Sequence, residues 1–226
     1  MLPCHGRFHA YIPAPTGSIP VDIGKMDFKN LHIGLLALQG DYEAHQRHVE
    51  QLGAQPVLVK LPAQFGHIDA LIMPGGESTT MNILMDRFDL RKPLLDYCTH
   101  RPVYATCAGM ILLAKKIEDN QSGVETLGLL DIDVIRNGYG RQVHSFDETI
   151  EAWLDGGRQL IRASFIRAPR VTRIGKEVAS LAVYKGDPVL VRQRNILAAS
   201  FHAELAADTS LLEYFLTTIC GGKPVR

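Results

Sequence analysis

Apolar positions run almost unbroken from Leu31 to Leu38 (LHIGLLAL), as in a strand buried on both faces. Asp41 to Leu52 then follows helical spacing and stops at Gly53. Short strands are predicted at Pro56–Lys60 and Ile68–Met73, the second halted by Pro74-Gly75-Gly76. A helix capped by Ser78 or Thr79 follows, through Met85, and another spans Leu90 to Cys98. Val103–Thr106 is the next strand, and Ala108–Ile117 the helix after it. Strand and helix alternate throughout this half, which predicts an α/β fold with a parallel sheet covered on both faces. Right-handed crossovers bring the strand ends to one edge, where ligands of such sheets bind. Gly40, Gly75-Gly76 and Cys107 fall at that edge.

The pattern changes at Leu129. Leu129–Ile135, Gln142–Phe146, Gln159–Phe165, Val178–Tyr184, Pro188–Arg194 and Ile196–Ser200 are short and strand-like. Turn residues such as Asn137-Gly138, Gly156-Gly157 and Lys185-Gly186-Asp187 separate them. This half is expected to add antiparallel strands at the sheet edge and to return to the core before His202. Leu211–Ile219 is a closing helix. One domain over residues 30–222 is expected, with neither repeats nor an internal linker.

Composition narrows the picture. The chain has 226 residues, enough for a sizeable single core. Its 24 basic residues balance 24 acidic ones, so no global field favours nucleic acid or an acidic membrane. No run is long enough for a transmembrane helix. Cys4, Cys98, Cys107 and Cys220 have neither CxxC spacing nor disulfide-scaffold density, so a reduced, cytoplasmic protein is expected. Residues 1–29 hold four prolines and three glycines without a period or a signal-peptide pattern. They read as a flexible extension, with Met26 as an alternative start. Cys4, His5 and His9 are only weakly suggestive of metal-ligand spacing, and neither a metal nor a cofactor is expected.

Candidate chemistry centres on Cys107, where a strand passes into a helix. A helix N-terminus stabilises a thiolate, and Thr106, Ala108 and Gly109 are small enough for the tight turn. Far along the chain, His202 and Glu204 offer an imidazole and a carboxylate. The carboxylate reaches the far side of the ring only if the chain turns after His202. A Cys/His/Glu system of this kind performs acyl transfer. The alternatives are a buried structural cysteine and a capping pair on a solvated loop. Cys98 and Cys220 lack the setting of Cys107, and His32, His45, His48, His67, His100 and His144 lack that of His202.

The glycine pair at 75–76 lets the backbone turn sharply toward a ligand. Gly76 N–H and Ala108 N–H are candidate oxyanion donors, and Glu77 and Ser78 candidates for holding an amino-acid head group. A plain strand-to-helix turn is the alternative. The segment is not a phosphate loop, because the Gly-Lys-Ser/Thr ending is absent. Arg136 to Gln142 and Phe165 to Arg170 concentrate arginines whose fixed fork suits a carboxylate. Arg141, Arg170 and Arg173 serve equally well as a surface basic cluster. No aromatic platform accompanies them, which argues against bound nucleic acid.

Leu38-Gln39-Gly40-Asp41, PGGESTTM at 74–81, ATCAGMILLA at 105–114, RNGYGRQ at 136–142, FIRAPR at 165–170 and FHAEL at 201–205 occur in that order. Together they resemble the glutaminase subunits of pyridoxal 5'-phosphate synthase, class I (triad) glutamine amidotransferases. The resemblance runs from about residue 31 to the C-terminal helix. It implies a flavodoxin-like three-layer α/β sandwich with a mostly parallel central sheet and added antiparallel strands. It places the triad on Cys107, His202 and Glu204, and the oxyanion groups on Gly76 and Ala108. Glutamine-binding positions fall on Gly76, Glu77, Ser78, Arg136, Ile166 and Arg167, and Gln39 falls near the site and the subunit interface. The implied reaction is hydrolysis of L-glutamine to L-glutamate and ammonia. The implied partner is a TIM-barrel synthase subunit that uses the ammonia to build pyridoxal 5'-phosphate, in a twelve-plus-twelve assembly. Members are weakly active alone, and partner docking arranges the oxyanion hole.

Two features depart from the family pattern. The usual His-Pro-Glu reads His202-Ala203-Glu204, and alanine lacks proline's fixed φ. The stretch 1–29 is the other. Rival readings are an amidotransferase for histidine or nucleotide synthesis, a cysteine peptidase or deglycase on the same fold, and a non-catalytic scaffold. RNGYGRQ and FIRAPR oppose the first, the distal His-x-Glu the second, and the intact Cys107, His202 and Glu204 the third.

Overall fold

A computed structural model describes residues 27–139, 145–155 and 157–221. The sequence expectations for Cys4, His5, His9, Gly140, Arg141, Gln142, His144 and Gly156 lie outside these residues. The first half alternates as its pattern predicts: β1 (His32–Leu36), α1 (Tyr42–Gln51), β2 (Gln55–Val59), β3 (Ala70–Met73), α2 (Ser78–Arg87), α3 (Arg91–His100) and β4 (Val103–Thr106). A 3₁₀ turn at Pro62–His67 links β2 to β3. Phe28 lies in the core, and its carbonyl accepts from Leu31 N at 2.9 Å.

The second half comprises α4 (Ala108–Leu113), β5 (Ala114–Ile117), β6 (Leu130–Ile135), β7 (Ser145–Leu154), β8 (Gly157–Ile166), β9 (Arg170–Ile174), β10 (Ala179–Tyr184), β11 (Asp187–Gln193), β12 (Ile196–Ala199) and α5 (Ser210–Tyr214). A π-helical turn, Phe215–Ile219, extends α5. The main sheet among the described residues runs β2-β1-β3-β4-β12-β11-β10-β7-β8. Its first five strands are parallel, and the rest pair antiparallel. The chain thus returns beside β4 through β12, with Ala199 opposite Thr106.

Strand residues alternate between two apolar layers. Ile33 and Leu35 of β1 pack with Val49 of α1 and with Phe215. Leu36, Leu71 and Met73 face the other way, toward Met81 of α2, Leu94 of α3 and Met110 of α4. Helices therefore cover both faces of the sheet, giving three layers.

Three expectations need correction. The helix predicted over Ala108–Ile117 ends at Leu113, and Ala114–Ile117 forms β5. Pairing with β6 decides this, since β5, β6 and β9 form a second, three-stranded sheet. β9 was not foreseen, because RVTRI is largely polar and only Val171 is fully buried. The strand predicted to end at Phe146 continues to Leu154, with Ile150, Ala152 and Leu154 turned inward.

Candidate active site

β1, β3, β4 and β12 are consecutive neighbours in the parallel part of the sheet, and each ends in a loop carrying candidate residues. Gln39 and Gly40 follow β1, Pro74 to Glu77 follow β3, Cys107 follows β4, and Ser200 to Glu204 follow β12. One sheet edge thus collects four loops distant in sequence, as the crossover rule requires.

Cys107 is the N-cap of α4 with φ 46° and ψ −102°. A non-glycine residue in that region costs about 1–3 kcal/mol and persists only where its surroundings enforce it. Two contacts enforce it here. Cys107 N donates to Ala199 O at 2.9 Å, tying the elbow to β12. A Cβ at Gly109 would collide with Met73 O, so α4 sits directly on the end of β3. The Cys107 side chain is almost wholly buried, with Sγ 3.9 Å from Ile166 O.

The chain does turn after His202. A 3₁₀ turn over Ala203–Leu205 swings Glu204 back, and His202 Nδ1 lies 2.7 Å from Glu204 Oε1. The His202 backbone is clamped by β8, donating to Ser164 O at 2.8 Å. Burial opposes the imidazolium, but the Cys107 and Glu204 side chains outweigh it and raise His202 to about 10. Burial likewise pushes the Glu204 carboxyl up, but His45 and His202 overcome this and hold it well below the ordinary range.

Gly75 packs against the Cε1 edge of the imidazole. A Cβ there would lie 2.8 Å from His202 Nδ1 and 3.0 Å from Nε2, and closer still to Cε1. Gly40, at φ 98°, is similarly wedged against Gly75 O. Backbone thus lies against the His202 ring with no room for side chains.

Glu77, rather than Ser78 or Thr79, caps α2, accepting from Thr80 N at 2.7 Å. A carboxylate there also complements the helix dipole. Burial raises its carboxyl, but hydrogen bonds from Thr80 and Thr79 together outweigh this and hold it below its ordinary value. Glu77 N donates to Gln39 Oε1 at 2.7 Å, and Arg136 Nη2 donates to Glu77 Oε1 at 3.0 Å. Arg136 also bonds Ser122 Oγ, and its backbone N donates to Asp119 Oδ1 at 2.9 Å. Ser78 is buried in the first turn of α2. Ala108 opens α4, so its N–H has no partner within the helix. Ile166 ends β8 and turns its carbonyl toward Cys107, and Arg167 follows with φ 45°. Gly138 N donates to Ala168 O at 3.1 Å, joining the two arginine segments.

The structure therefore gathers Gln39, Gly76, Glu77, Cys107, Ala108, Ile166, His202 and Glu204 at one edge, with Arg136 linked to them through Glu77. It also brings in His45 and His48, whose sequence setting does not single them out, and Thr106. His45 touches Glu204, Thr106 touches both, and His48 Nε2 lies 2.9 Å from Ala206 O. Their available signal was the buried face of α1, which carries Ala44, His45, His48 and Val49.

A thiol on a strained strand-to-helix elbow lies beside a histidine–glutamate pair on a three-layer α/β sandwich, an arrangement suited to thiol-based acyl transfer. More specifically, the chain belongs to the SNO glutamine amidotransferase family, whose model matches residues 35–220. A pyridoxal 5'-phosphate synthase subunit PdxT from Thermotoga sp. (strain RQ2) is 48% identical over 190 residues, covering 84% of this chain and 100% of that one. The protein of the same name from Kosmotoga olearia is 49% identical over 192 residues, covering 84% and 99%. A crystal structure of a glutamine amidotransferase superposes with a TM-score of 0.77 at 39% identity, covering 84% of this chain and 98% of that one. The structure of PurLQS from Thermotoga maritima, at 14% identity and a TM-score of 0.61, shares the fold.

Proposed function

We propose that this chain is the glutaminase subunit of a pyridoxal 5'-phosphate synthase, with Cys107, His202 and Glu204 as its catalytic triad. The observation that carries the reading is the 2.7 Å contact of His202 with Glu204 at the edge where Cys107 forms its elbow. His202 takes the Cys107 proton, and the thiolate attacks the side-chain carboxamide of L-glutamine. Gly76 N–H and Ala108 N–H hold the resulting oxyanion, each worth about 3 kcal/mol in the transition state. His202 then protonates the departing ammonia, leaving a glutamyl thioester. Acting as base, it next directs water onto the thioester, releasing L-glutamate and restoring the thiol. Glu204 keeps the ring in the tautomer that faces Cys107 and stabilises its cation.

Gly76, Glu77, Ser78, Arg136, Ile166 and Arg167 hold the substrate. The Glu77 carboxylate suits the α-ammonium group, and the guanidinium of Arg136 or Arg167 the α-carboxylate. Gln39 lies between this site and the partner surface. Ammonia exposed to bulk water becomes ammonium, which is not a nucleophile, so its use demands a sealed passage into a second protein. The relatives' name, synthase subunit, supports such a partner. We assign it as a TIM-barrel synthase in a twelve-plus-twelve assembly, with residues 30–222 as one amidotransferase domain. Free, buried Cys98, Cys107 and Cys220 accord with a reducing cytoplasm. No described helix is long and apolar enough to cross a membrane.

The test is glutamate release from L-glutamine with and without the cognate synthase subunit, and with Cys107→Ala as control. Strong release that requires the synthase and disappears with the substitution is expected. No release from a folded, demonstrably complexed wild type would overturn the assignment and favour a scaffold.

A further inference from the structure

His45 makes contacts that the triad alone does not explain. It is 1% exposed, on the inner face of α1. Its Nε2 lies 3.2 Å from Thr106 Oγ1 and 3.4 Å from Glu204 Oε1. Thr106 Oγ1 lies 3.3 Å from the same Oε1, which also faces His202 Nδ1 at 2.7 Å. Three groups thus converge on one carboxylate oxygen, while Oε2 is buried without a partner among the described residues. The His45 ring stands edge-on to Tyr104, with centroids 5.8 Å apart at 89°, so it has little freedom to rotate. One turn further along α1, the contact of His48 with Ala206 O ties the same helix to the loop after Glu204.

Donor and acceptor chemistry fixes the direction of these bonds. An ionised carboxylate only accepts. Thr106 spends its single hydroxyl proton on Glu204 and offers His45 only lone pairs. Both neighbours of His45 Nε2 are therefore acceptors, and Nε2 carries a proton. An unprotonated Nε2 would set its lone pair against the carboxylate in a dry site.

We propose that His45 is a positioning residue of the triad: its Nε2–H, with Thr106, holds the Glu204 carboxylate in the rotamer that keeps His202 aimed at Cys107. The proposal rests on the Cys107–His202–Glu204 reading above. Among the described residues, the hydrogen bonds and ion pairs of His45 run to Thr106 and Glu204 and not to the thiol. Its value lies in constancy. His202 gains and loses a proton during each turnover, so its support for the buried Glu204 charge rises and falls. A donor outside the proton relay supports that charge in every intermediate. After the effect of burial, the nearness of His45 is the largest influence on the Glu204 carboxyl.

The test compares His45→Leu, which keeps volume but removes the donor, with His45→Gln, which keeps an N–H near the former Nε2. Loss of a hydrogen-bonding partner behind a reacting group typically costs about 10- to 100-fold, so kcat of the synthase-bound His45→Leu chain is expected to fall by that factor with KM within about twofold. His45→Gln is expected to recover most of the loss, which packing alone would not bring about. The low-field ¹H resonance of the His202–Glu204 hydrogen bond, read by NMR, is expected to move in His45→Leu and return in His45→Gln. A folded His45→Leu with unchanged resonance and unchanged kcat would overturn the proposal. If His45→Leu does not fold, Thr106→Val removes the cooperating hydroxyl, and an unmoved resonance there overturns it equally. An altered resonance in a protein without glutaminase activity would support the positioning role and defeat only the assigned reaction.

Discussion

Cys107, Gly75 and His202 sit on loops leaving adjacent parallel strands, whereas Arg136 and Arg167 lie at the ends of β6 and β8, which belong to different sheets. The first group is positioned by sheet register. Ala199 stands opposite Thr106, and one residue beyond each begin the loops that carry the histidine and the thiol. The second group is positioned by bonds between one loop and another, Gly138 N to Ala168 O and Arg136 to Glu77 and Asp119. Register resists small perturbations, while loops adapt. If the proposed roles hold, chemistry and substrate recognition are built with different stiffness, and mutations in the two regions should separate into effects on kcat and effects on KM.

The largest effect is expected on the chemical side. In Gly75→Ala the new methyl displaces the His202 ring, and a misplacement of about 1 Å costs on the order of 100-fold in kcat. Gly66→Ala, where an added Cβ meets nothing within 4 Å, is the control and should leave kcat alone. Steady-state kinetics of the synthase complex decide it. If Gly75→Ala keeps its kcat, the His202 ring is not held as tightly as its packing indicates. On the recognition side, Arg136→Ala removes a charged donor worth about 1.5–3 kcal/mol, which corresponds to KM rising roughly 10- to 100-fold. Its kcat should change little. A fall in kcat at constant KM would erase the contrast between the regions.

A subtler probe is the pH dependence of stability within the chemical side. The Glu204 carboxyl is depressed from its ordinary 4.5, so its contribution is complete above that value and is lost as pH falls. His202 is raised from 6.5 to about 10, so its contribution is complete below 6.5 and fades as pH rises toward 10. Both are fully present only between 4.5 and 6.5. Glu204→Gln should cost about 1–3 kcal/mol within that window, and its deficit in Tm should narrow in more acidic buffer. A deficit that stays constant with pH would mean that Glu204 stabilises the fold through packing rather than charge.

The same division governs what can be read from the sequence. Strands of the parallel half are continuous apolar runs, so their positions are legible to within a residue or two at each end. The elbow is legible too, because a strand-like run meets a helix-like run at Cys107. β5 is not, since the apolar spacing of α4 continues through AKKI and only pairing with the distant β6 ends the helix. β9 is hidden by its polar composition. The role of Glu77 as cap escapes a rule that favours Ser and Thr, although a carboxylate at that position reaches Thr80 N just as well. His45 is illegible for a deeper reason. Its place on the inner face of α1 follows from amphipathicity, but the presence of Glu204 beneath it depends on β12 entering the sheet beside β4.

The smallest expected effect concerns Ala203, where the chain departs from His-Pro-Glu. His202 is extended, with φ −103° inside the range of a residue before proline and ψ 95° somewhat below it. Ala203 opens the 3₁₀ turn, a position whose N–H has no acceptor within the turn and where proline is commonly found in helices. Ala203→Pro should therefore fit without strain and stabilise by about 0.4–1 kcal/mol, through loss of freedom in the unfolded chain. With His202 already held by Ser164 and Glu204, its orientation gains little, so kcat should stay within about twofold. A rise in Tm without a change in kcat would show that register and hydrogen bonding, rather than the turn's intrinsic stiffness, hold the His202 ring. A large gain in kcat would show the reverse, and would place this loop with the adaptable side of the site.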